Sequence, residues 1–319
     1  MKTINNETKE YQTRKRVFTR YRRMGKLTEL PIKTWEEITI IKHLVLAIFI
    51  IMMSVSLSIT NSINVKAADL LNHTITFSNK TVVKTLFYPY RNPAGVLDPY
   101  QARSLQGIAV DDSNNMYITY ATGDKTTFGY IYKYSPQGKL IRMSSMLTTG
   151  HAQGIAYKNG YLYLLVNITG QTYKLQKVNP TTLTVLKTWD LPSIVHPNVI
   201  TLLNSTTAVG VSKSVDGKGY NIYKIKLGAD STTTINWNEK IYIDGLVGTS
   251  SSKPIQGFTY GNGKYYILSD GEYMSFDSNG KNVNRVKLNT TREPEGMAID
   301  KSGKILIQFN YYNEVFKQQ

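Results

Sequence analysis

Apolar and polar residues alternate in short runs that recur along the chain. Four stretches share one order: a Gln or Glu, a Gly, a few mostly apolar residues, a turn rich in Gly, Asn, Asp or Ser, and an alternating apolar run. They are LQGIAVDDSNNMYITY from Leu105, AQGIAYKNGYLYLLVN from Ala152, IQGFTYGNGKYYILSD from Ile255 and PEGMAIDKSGKILIQF from Pro294, with a weaker fifth, PNVITLLNSTTAVGVS, from Pro197. Period-two alternation broken by such turns predicts two β-strands in each stretch.

Further alternating runs follow each stretch, so that each unit predicts four short strands. The leading polar residues of successive units are 47, 45, 58 and 39 residues apart. Four strands per ~45 residues, repeated around an axis, are typical of a β-propeller. We therefore predict an all-β, five-bladed propeller of four-stranded blades over residues 69–319.

The last unit supplies only three strands before Gln319. Residues 75–88, ITFSNKTVVKTLFY, precede the first unit and offer the missing strand. Pairing of this strand with the last blade leaves no unpaired sheet edge. We expect it to close the ring, with the Pro-rich residues 89–104 as a connector.

The repeat places polar side chains of five blades around the central channel. The leading residues are Gln106, Gln153, Asn198, Gln256 and Glu295, and two residues earlier a second ring holds Ser104, His151, His196, Pro254 and Glu293. Two interpretations are open. The amides satisfy backbone groups of the next blade, as buried polar groups must be, or the rings line a ligand pocket. The second predicts a binding site made of Gln106, Gln153, Asn198, Gln256, Glu295, His151 and His196.

A catalytic site is the alternative for the same rings. Glu293 and Glu295 beside His151 or His196 have the chemistry of an acid–base pair, because neighbouring titratable groups push their pKa values apart. No spacing such as His-x-x-x-His supports a metal site. We predict neither a metal nor a cofactor.

Composition narrows the partners. The chain has 38 Lys and Arg against 22 Asp and Glu, a net charge of +16, and no cysteine. Residues 1–68 hold 12 basic and 5 acidic residues, so residues 69–319 keep a balance of 26 to 17. A basic body favours anionic partners such as wall polymers, acidic lipids or acidic glycans. We find no nucleic-acid-binding motif and predict no such partner.

The N-terminal segment has the pattern of an export signal. A long basic stretch precedes the uncharged run Leu44–Leu57, and Val65-Lys66-Ala67 precedes a possible cleavage point before Ala68. Such an order predicts a helical signal peptide over residues 1–68. An uncleaved anchor stays open, with membrane contact through residues 44–59, and Met24 is an alternative start. In either case we expect the propeller to be secreted or cell-surface.

The repeat openings QGIA, QGFTY and EPEGMAI, on a basic chain with the pattern of an export signal, resemble the helveticin-like large bacteriocins and related secreted propellers of lactic-acid bacteria. This resemblance covers roughly residues 75–319. It implies a protein that acts at the envelope of related bacteria. The openings are also similar to those of the five-bladed glutaminyl cyclases, but LQGIAV, AQGIAY and IQGFTY lack the acid expected after the apolar residue.

Together these patterns predict a secreted, non-catalytic binding propeller, bacteriocin-like, that recognises an anionic or glycan ligand of the bacterial cell wall or surface. The alternative is a channel-centred enzyme, similar to a five-bladed glutaminyl cyclase or another propeller hydrolase or lyase, that uses Glu293, Glu295, His151 and His196.

Overall fold

The structure is a computed structural model that describes residues 72–89, 104–121, 127–310 and 313–319, with Ser104 described by its backbone only. The predicted signal or anchor segment at 1–68 and most of the connector lie outside these ranges. In the part of the chain that is described, no helix has the length and apolar character needed to cross a membrane.

The described chain forms five antiparallel sheets. Two strands, β1 (Thr74–Thr76) and β2 (Val82–Phe87), precede the repeats. Blade 1 contains β3 (Ser104–Val110), β4 (Met116–Ala121), β5 (Phe128–Tyr134), β6 (Leu140–Met143) and β7 (Leu147–Thr148). Blade 2 contains β8 (Ile155–Lys158), β9 (Tyr161–Val166), β10 (Lys174–Val178) and β11 (Val185–Asp190).

The remaining blades follow the same order. Blade 3 contains β12 (Val199–Asn204), β13 (Thr207–Lys213), β14 (Gly219–Leu227), β15 (Thr233–Ile235), a 3-10 turn (Trp237–Glu239) and β16 (Ile241–Asp244). Blade 4 contains β17 (Gly257–Gly261), β18 (Lys264–Ser269), β19 (Glu272–Asp277) and β20 (Asn284–Lys287). Blade 5 contains β21 (Pro294–Ile299), β22 (Ile305–Phe309) and β23 (Glu314–Gln318).

The innermost strands pack side by side in the ring order β3, β8, β12, β17, β21 and back to β3. The predicted five-bladed propeller is therefore confirmed. Blades 1 and 3 differ from the simple four-strand pattern, because β6 and β7 both pair with β5, and β15 and β16 both pair with β14. In blade 5 the sheet order is β1, β2, β23, β22, β21, so two N-terminal strands, rather than one, extend this sheet.

Hairpin turns owe their geometry to aspartate and to left-handed residues. The Asp111 carboxylate accepts from the backbone N–H groups of Ser113 and Asn115, and Asp277 and Asp300 repeat this arrangement in blades 4 and 5. Asn114 has a positive φ of 61°, a conformation that Asn tolerates well. These turns fix the pairing register of the strands that they join, and the register decides which side chains face the neighbouring blades.

Close backbone contact around the axis holds the blades together. A Cβ at Gly107 would lie 2.4 Å from the carbonyl oxygen of Gln153 in the next blade. A Cβ at Gly296 would lie 3.1 Å from the backbone nitrogen of Ile108, and one at Gly257 3.2 Å from that of Met297. The glycine after the leading polar residue thus lets the inner strands approach each other.

A buried carboxylate joins the two ends of blade 5. Glu314 on β23 is fully buried and accepts hydrogen bonds from Thr85 Oγ1 at 2.5 Å, His73 Nδ1 at 3.0 Å and Arg292 Nη1 at 2.6 Å. Burial alone would raise the pKa of Glu314, but these hydrogen bonds together with the nearby Arg292 charge hold it below its ordinary value. Glu314 is therefore a charged group that fastens β2 and its flanking residues to β23.

Replacement of Gly107 by Ala is expected to lower the free energy of unfolding by about 2 kcal/mol, because the added methyl meets a backbone atom that cannot turn aside. Thermal or urea denaturation measures the loss. The control is Gln137→Ala at an exposed turn of the same blade, which should leave stability unchanged. A loss at Gly107→Ala no greater than that of the control would show that the axis tolerates the methyl.

Replacement of Glu314 by Gln is expected to lower the free energy of unfolding by about 3 kcal/mol, since Arg292 loses its buried partner. The lowered pKa also sets a pH dependence. The stability that Glu314 contributes is complete above its ordinary pKa of 4.5 and is lost as pH falls through the folded-state pKa.

Melting temperatures of the native chain and of Glu314→Gln, measured between neutral and acidic pH, check this dependence. The two curves should converge as the pH falls. Glu239→Gln serves as the control, because Glu239 forms an exposed pair with Lys224 and its loss should leave the melting temperature unchanged. A native chain whose advantage over Glu314→Gln persisted in acid would contradict this role for Glu314.

Candidate functional site

A cavity of about 830 Å³ occupies the channel mouth, at the end where the inner strands begin. Its lining includes every residue that the two rings predict as ligand-binding or catalytic: Gln106, Gln153, Asn198, Gln256, Glu295, His151, His196 and Glu293. The repeat thus brings these side chains together in one place. That they bind a ligand stays a prediction.

Two blades shape this mouth with β-bulges. In blade 1, Gln106 and Gly107 together lie opposite Thr119, and in blade 5, Glu295 and Gly296 together lie opposite Gln308. A bulge inserts one residue into a strand and redirects the side chains beside it. Gln106 is 2% exposed and Glu295 5% exposed, so both form the wall of the cavity rather than its rim.

The residues opposite the bulges hydrogen-bond backbone groups of neighbouring inner strands. The sequence offered this role for the leading amides. Thr119 Oγ1 accepts from Gly107 N at 2.7 Å and donates to the Ala152 carbonyl at 2.6 Å. Gln308 Nε2 donates to the Gln106 carbonyl at 2.9 Å. The contacts between blades are therefore satisfied from the second strand, which leaves the leading side chains available to the cavity.

The leading amides form a bridge across the mouth. Gln153 Nε2 of blade 2 donates to Gln256 Oε1 of blade 4 at 2.5 Å, although these blades are not neighbours in the ring. Gln256 Nε2 donates in turn to Asp270 Oδ1 at 3.3 Å and Glu293 Oε1 at 3.2 Å. Gln256 is thus the centre of a network that joins three blades.

The other predicted residues lie at different depths. Glu295 Oε1 accepts from Asn310 Nδ2 at 3.1 Å in the wall, whereas Glu293 is exposed at the rim. The backbone N–H of His151 donates to Asn167 Oδ1 at 2.9 Å. His196 is exposed and its ring meets the Tyr173 ring edge-on, with centroids 4.8 Å apart. The two histidines and two glutamates therefore share a cavity but lie in different surroundings: Glu293 and His196 are exposed, whereas Glu295 is buried in the wall.

Sequence reasoning missed a third ring. Lys213, Asp270 and Asn310 also line the cavity, and each ends or directly follows the second strand of its blade. A signal for them exists, since the second strands read YLYLLVN, TAVGVSK, KYYILSD and KILIQFN and each closes on a polar residue. The blade 2 member, Asn167, is the residue that holds His151.

The cavity is acidic although the chain is basic. Its lining has three carboxylates, Asp270, Glu293 and Glu295, against one Lys213, which gives a formal charge of −2 with neutral histidines. Such a lining disfavours an anion and favours a neutral or cationic polar ligand. Which of the two predicted ligand types the protein binds stays a prediction. Among the described residues, no group of three His, Asp or Glu side chains could hold a metal ion.

A second cavity lies beside the first. Its volume is about 770 Å³, it is lined by Thr249, Ser250, Asn289 and Thr290 among others, and it shares Asp270 and Glu293 with the first. At the other end of the channel, a smaller cavity of about 80 Å³ lies among the last residues of the inner strands.

No family model and no curated protein sequence matches the chain. Solved structures that match include a chain of a nidogen–laminin complex, with 10% identity, a TM-score of 0.43, and coverage of 75% of this chain and 84% of that one. A gluconolactonase from Xanthomonas campestris has 9% identity, a TM-score of 0.41 and coverage of 79% and 95%. The RRP9 WD40 repeats have 9% identity, a TM-score of 0.43 and coverage of 78% and 96%. At these values the similarities say nothing about ligand or chemistry.

Replacement of Gln256 by Leu is expected to lower the free energy of unfolding by about 2 kcal/mol, because Gln153 loses its acceptor and two carboxylates lose a donor. Urea denaturation measures the change. Gln137→Leu, at an exposed turn on blade 1, is the control and should leave stability unchanged. If both variants unfold alike, the bridge across the mouth contributes nothing to stability.

Proposed function

We propose that the protein is a binding propeller of the bacterial cell surface whose channel mouth recognises a neutral, hydroxyl-rich ligand such as a segment of an envelope glycan. One observation carries this proposal. Amide and carboxylate side chains from the five blades converge in a single cavity of about 830 Å³. Convergent polar groups in a concave site are the usual form of a small-ligand site.

The hydrogen-bonding capacity of the lining suits sugar hydroxyls. Carboxylates only accept, amides both donate and accept, and a hydroxyl can satisfy either kind of group. The lateral cavity past Asp270 and Glu293 offers Thr, Ser and Asn side chains to a longer chain of sugars.

The cellular setting rests on the N-terminal pattern and on the resemblance to helveticin-like bacteriocins. A basic stretch, the apolar run Leu44–Leu57 and the small residues before Ala68 support export. We propose that the propeller acts outside the cell, either released or held through residues 44–59, and that β2 closes its ring. The pairing of β2 with β23 and the burial of Glu314 support that closure.

Binding to isolated bacterial cell walls, measured by pull-down of the purified chain over a salt series, tests the proposed site. Gln153→Ala and Glu293→Gln are expected to weaken binding at least tenfold, the loss of roughly one well-formed hydrogen bond to a charged or buried group. Gln137→Ala, at an exposed turn, is the matched control and should bind normally.

The salt dependence distinguishes the ligand types. A neutral glycan in the acidic mouth should give binding that changes little with salt, because salt screens exposed charges. Steep loss with salt, unaffected by the cavity variants, would move recognition to the basic surface and contradict the proposal. Turnover of wall fragments that Glu295→Gln abolishes, with binding preserved, would instead assign a channel-centred enzyme.

A further inference from the structure

The outer edge of blade 1 exposes large aliphatic side chains that a folded chain normally buries. All four residues of β6 are exposed, with Leu140 at 42%, Ile141 at 52% and Met143 at 52%, and Met146 just beyond them is 47% exposed. These four side chains lie within seven residues along one sheet edge. Contiguous apolar groups of this kind mark interaction surfaces more often than isolated ones do.

Strand register places Leu140 at the end of the propeller away from the cavity, while Met146, next to Leu147, lies towards the cavity end. The row Val110, Met116, Tyr134 and Leu140 runs across blade 1 at the far end of the inner strand, whereas the row that begins at Ser104 lies beside the mouth. Blade 2 repeats the exposure at the same end, where Val185 is 38% and Leu186 51% exposed.

A direct contact links the two blades at that end. The Pro180 carbonyl of blade 2 accepts from Tyr117 Oη and from Lys133 Nζ of blade 1, both at 3.3 Å. Pro180 lies in the turn that leads into β11, so this turn packs on blade 1. The aliphatic groups of both edges therefore belong to one side of the molecule.

The same part of the chain is free of acidic residues. Residues 125–189 contain no Asp or Glu and eight basic residues: Lys125, Lys133, Lys139, Arg142, Lys158, Lys174, Lys177 and Lys187. Lys133 and Arg142 lie directly opposite each other on β5 and β6. Like charges in such a pair destabilise a sheet, and an anion between them relieves the repulsion.

Pairing of this edge with a second copy is disfavoured. The register shifts between Lys133 and Tyr134, so a bulge twists β6, and the edge carries Lys139 and Arg142. Bulges and charges are the devices that prevent sheet edges from pairing with one another. A partner must instead supply negative charge together with an apolar layer.

We propose that the outer edges of blades 1 and 2 dock onto an anionic lipid bilayer. Leu140, Ile141 and Met143 enter the boundary between headgroups and acyl chains, while Lys139 and Arg142 contact lipid phosphates. Surface binding of this kind combines apolar burial with attraction to anionic headgroups. This surface is separate from the proposed glycan site, because none of these edge residues lines the cavity.

Single-cysteine labelling tests the docking, because the native chain has no cysteine. The full chain carrying Ile141→Cys is labelled with an environment-sensitive nitrobenzoxadiazole dye and mixed with vesicles of phosphatidylcholine, with or without phosphatidylglycerol. We expect the emission to shift to the blue and brighten only with phosphatidylglycerol. The dye reports its own surroundings, so lipid binding by the apolar run Leu44–Leu57 does not produce this signal.

The control label is at Val215→Cys, a fully exposed aliphatic position in the hairpin after Lys213, at the cavity end. Its emission should not change. A second measurement uses vesicle co-sedimentation of Lys139→Gln and Arg142→Gln, each expected to weaken binding about fivefold, against Lys281→Gln in blade 4, which should bind normally.

Three results overturn the proposal. The first is a label at 141 that does not respond to either vesicle. The second is an equal response to vesicles without phosphatidylglycerol, which removes the role of the anionic lipid. The third is a response to soluble polyphosphate with none to vesicles, which assigns the edge to an anionic polymer.

Discussion

The steric contact of inner strands around the axis is the constraint on which the rest of the structure depends. At Gly107, a side chain of even one carbon would meet the Gln153 carbonyl of the next blade. In four of the five blades a glycine directly follows the leading polar residue, whereas blade 3 has Val199 there. The leading residues of the five blades meet in one mouth, and the apolar faces behind them form the cores between the blades. Blade packing and site assembly have the same physical cause.

The charge of the central cavity is opposite in sign to the net charge of the chain. A protein with a net charge of +16 places three carboxylates and one lysine at its central cavity. Residues 125–189, which build the outer part of blade 1 and most of blade 2, carry no acid at all. The net charge of the chain therefore does not describe the charge of its central cavity.

The repeat predicted the blades because period-two alternation and turn residues are local signals. It also predicted the cavity residues, since equivalent positions in a ring converge. The repeat pattern did not identify Lys213, Asp270 and Asn310 as cavity residues. Each ends or directly follows a second strand, where a polar residue is equally typical of an exposed turn. The bridge between Gln153 and Gln256 could not be predicted, since it joins blades that are not neighbours and depends on side-chain reach. The bulges opposite Thr119 and Gln308 follow from three-dimensional packing, although a polar residue inside an apolar strand hints at them.

The contacts of Glu314 have a consequence for how the chain folds. Glu314 lies 241 residues after His73, its partner on the other side of blade 5. β1 and β2 are synthesised before the blades and β23 after them, so the edge of β2 that pairs with β23 has no partner while four blades are made. Pairings between such distant residues form slowly, because a long loop must close before they contribute. The pairing of β2 with β23 is therefore a late event, and until then this edge of the Val82–Phe87 strand is open to wrong partners such as the same strand of another nascent chain.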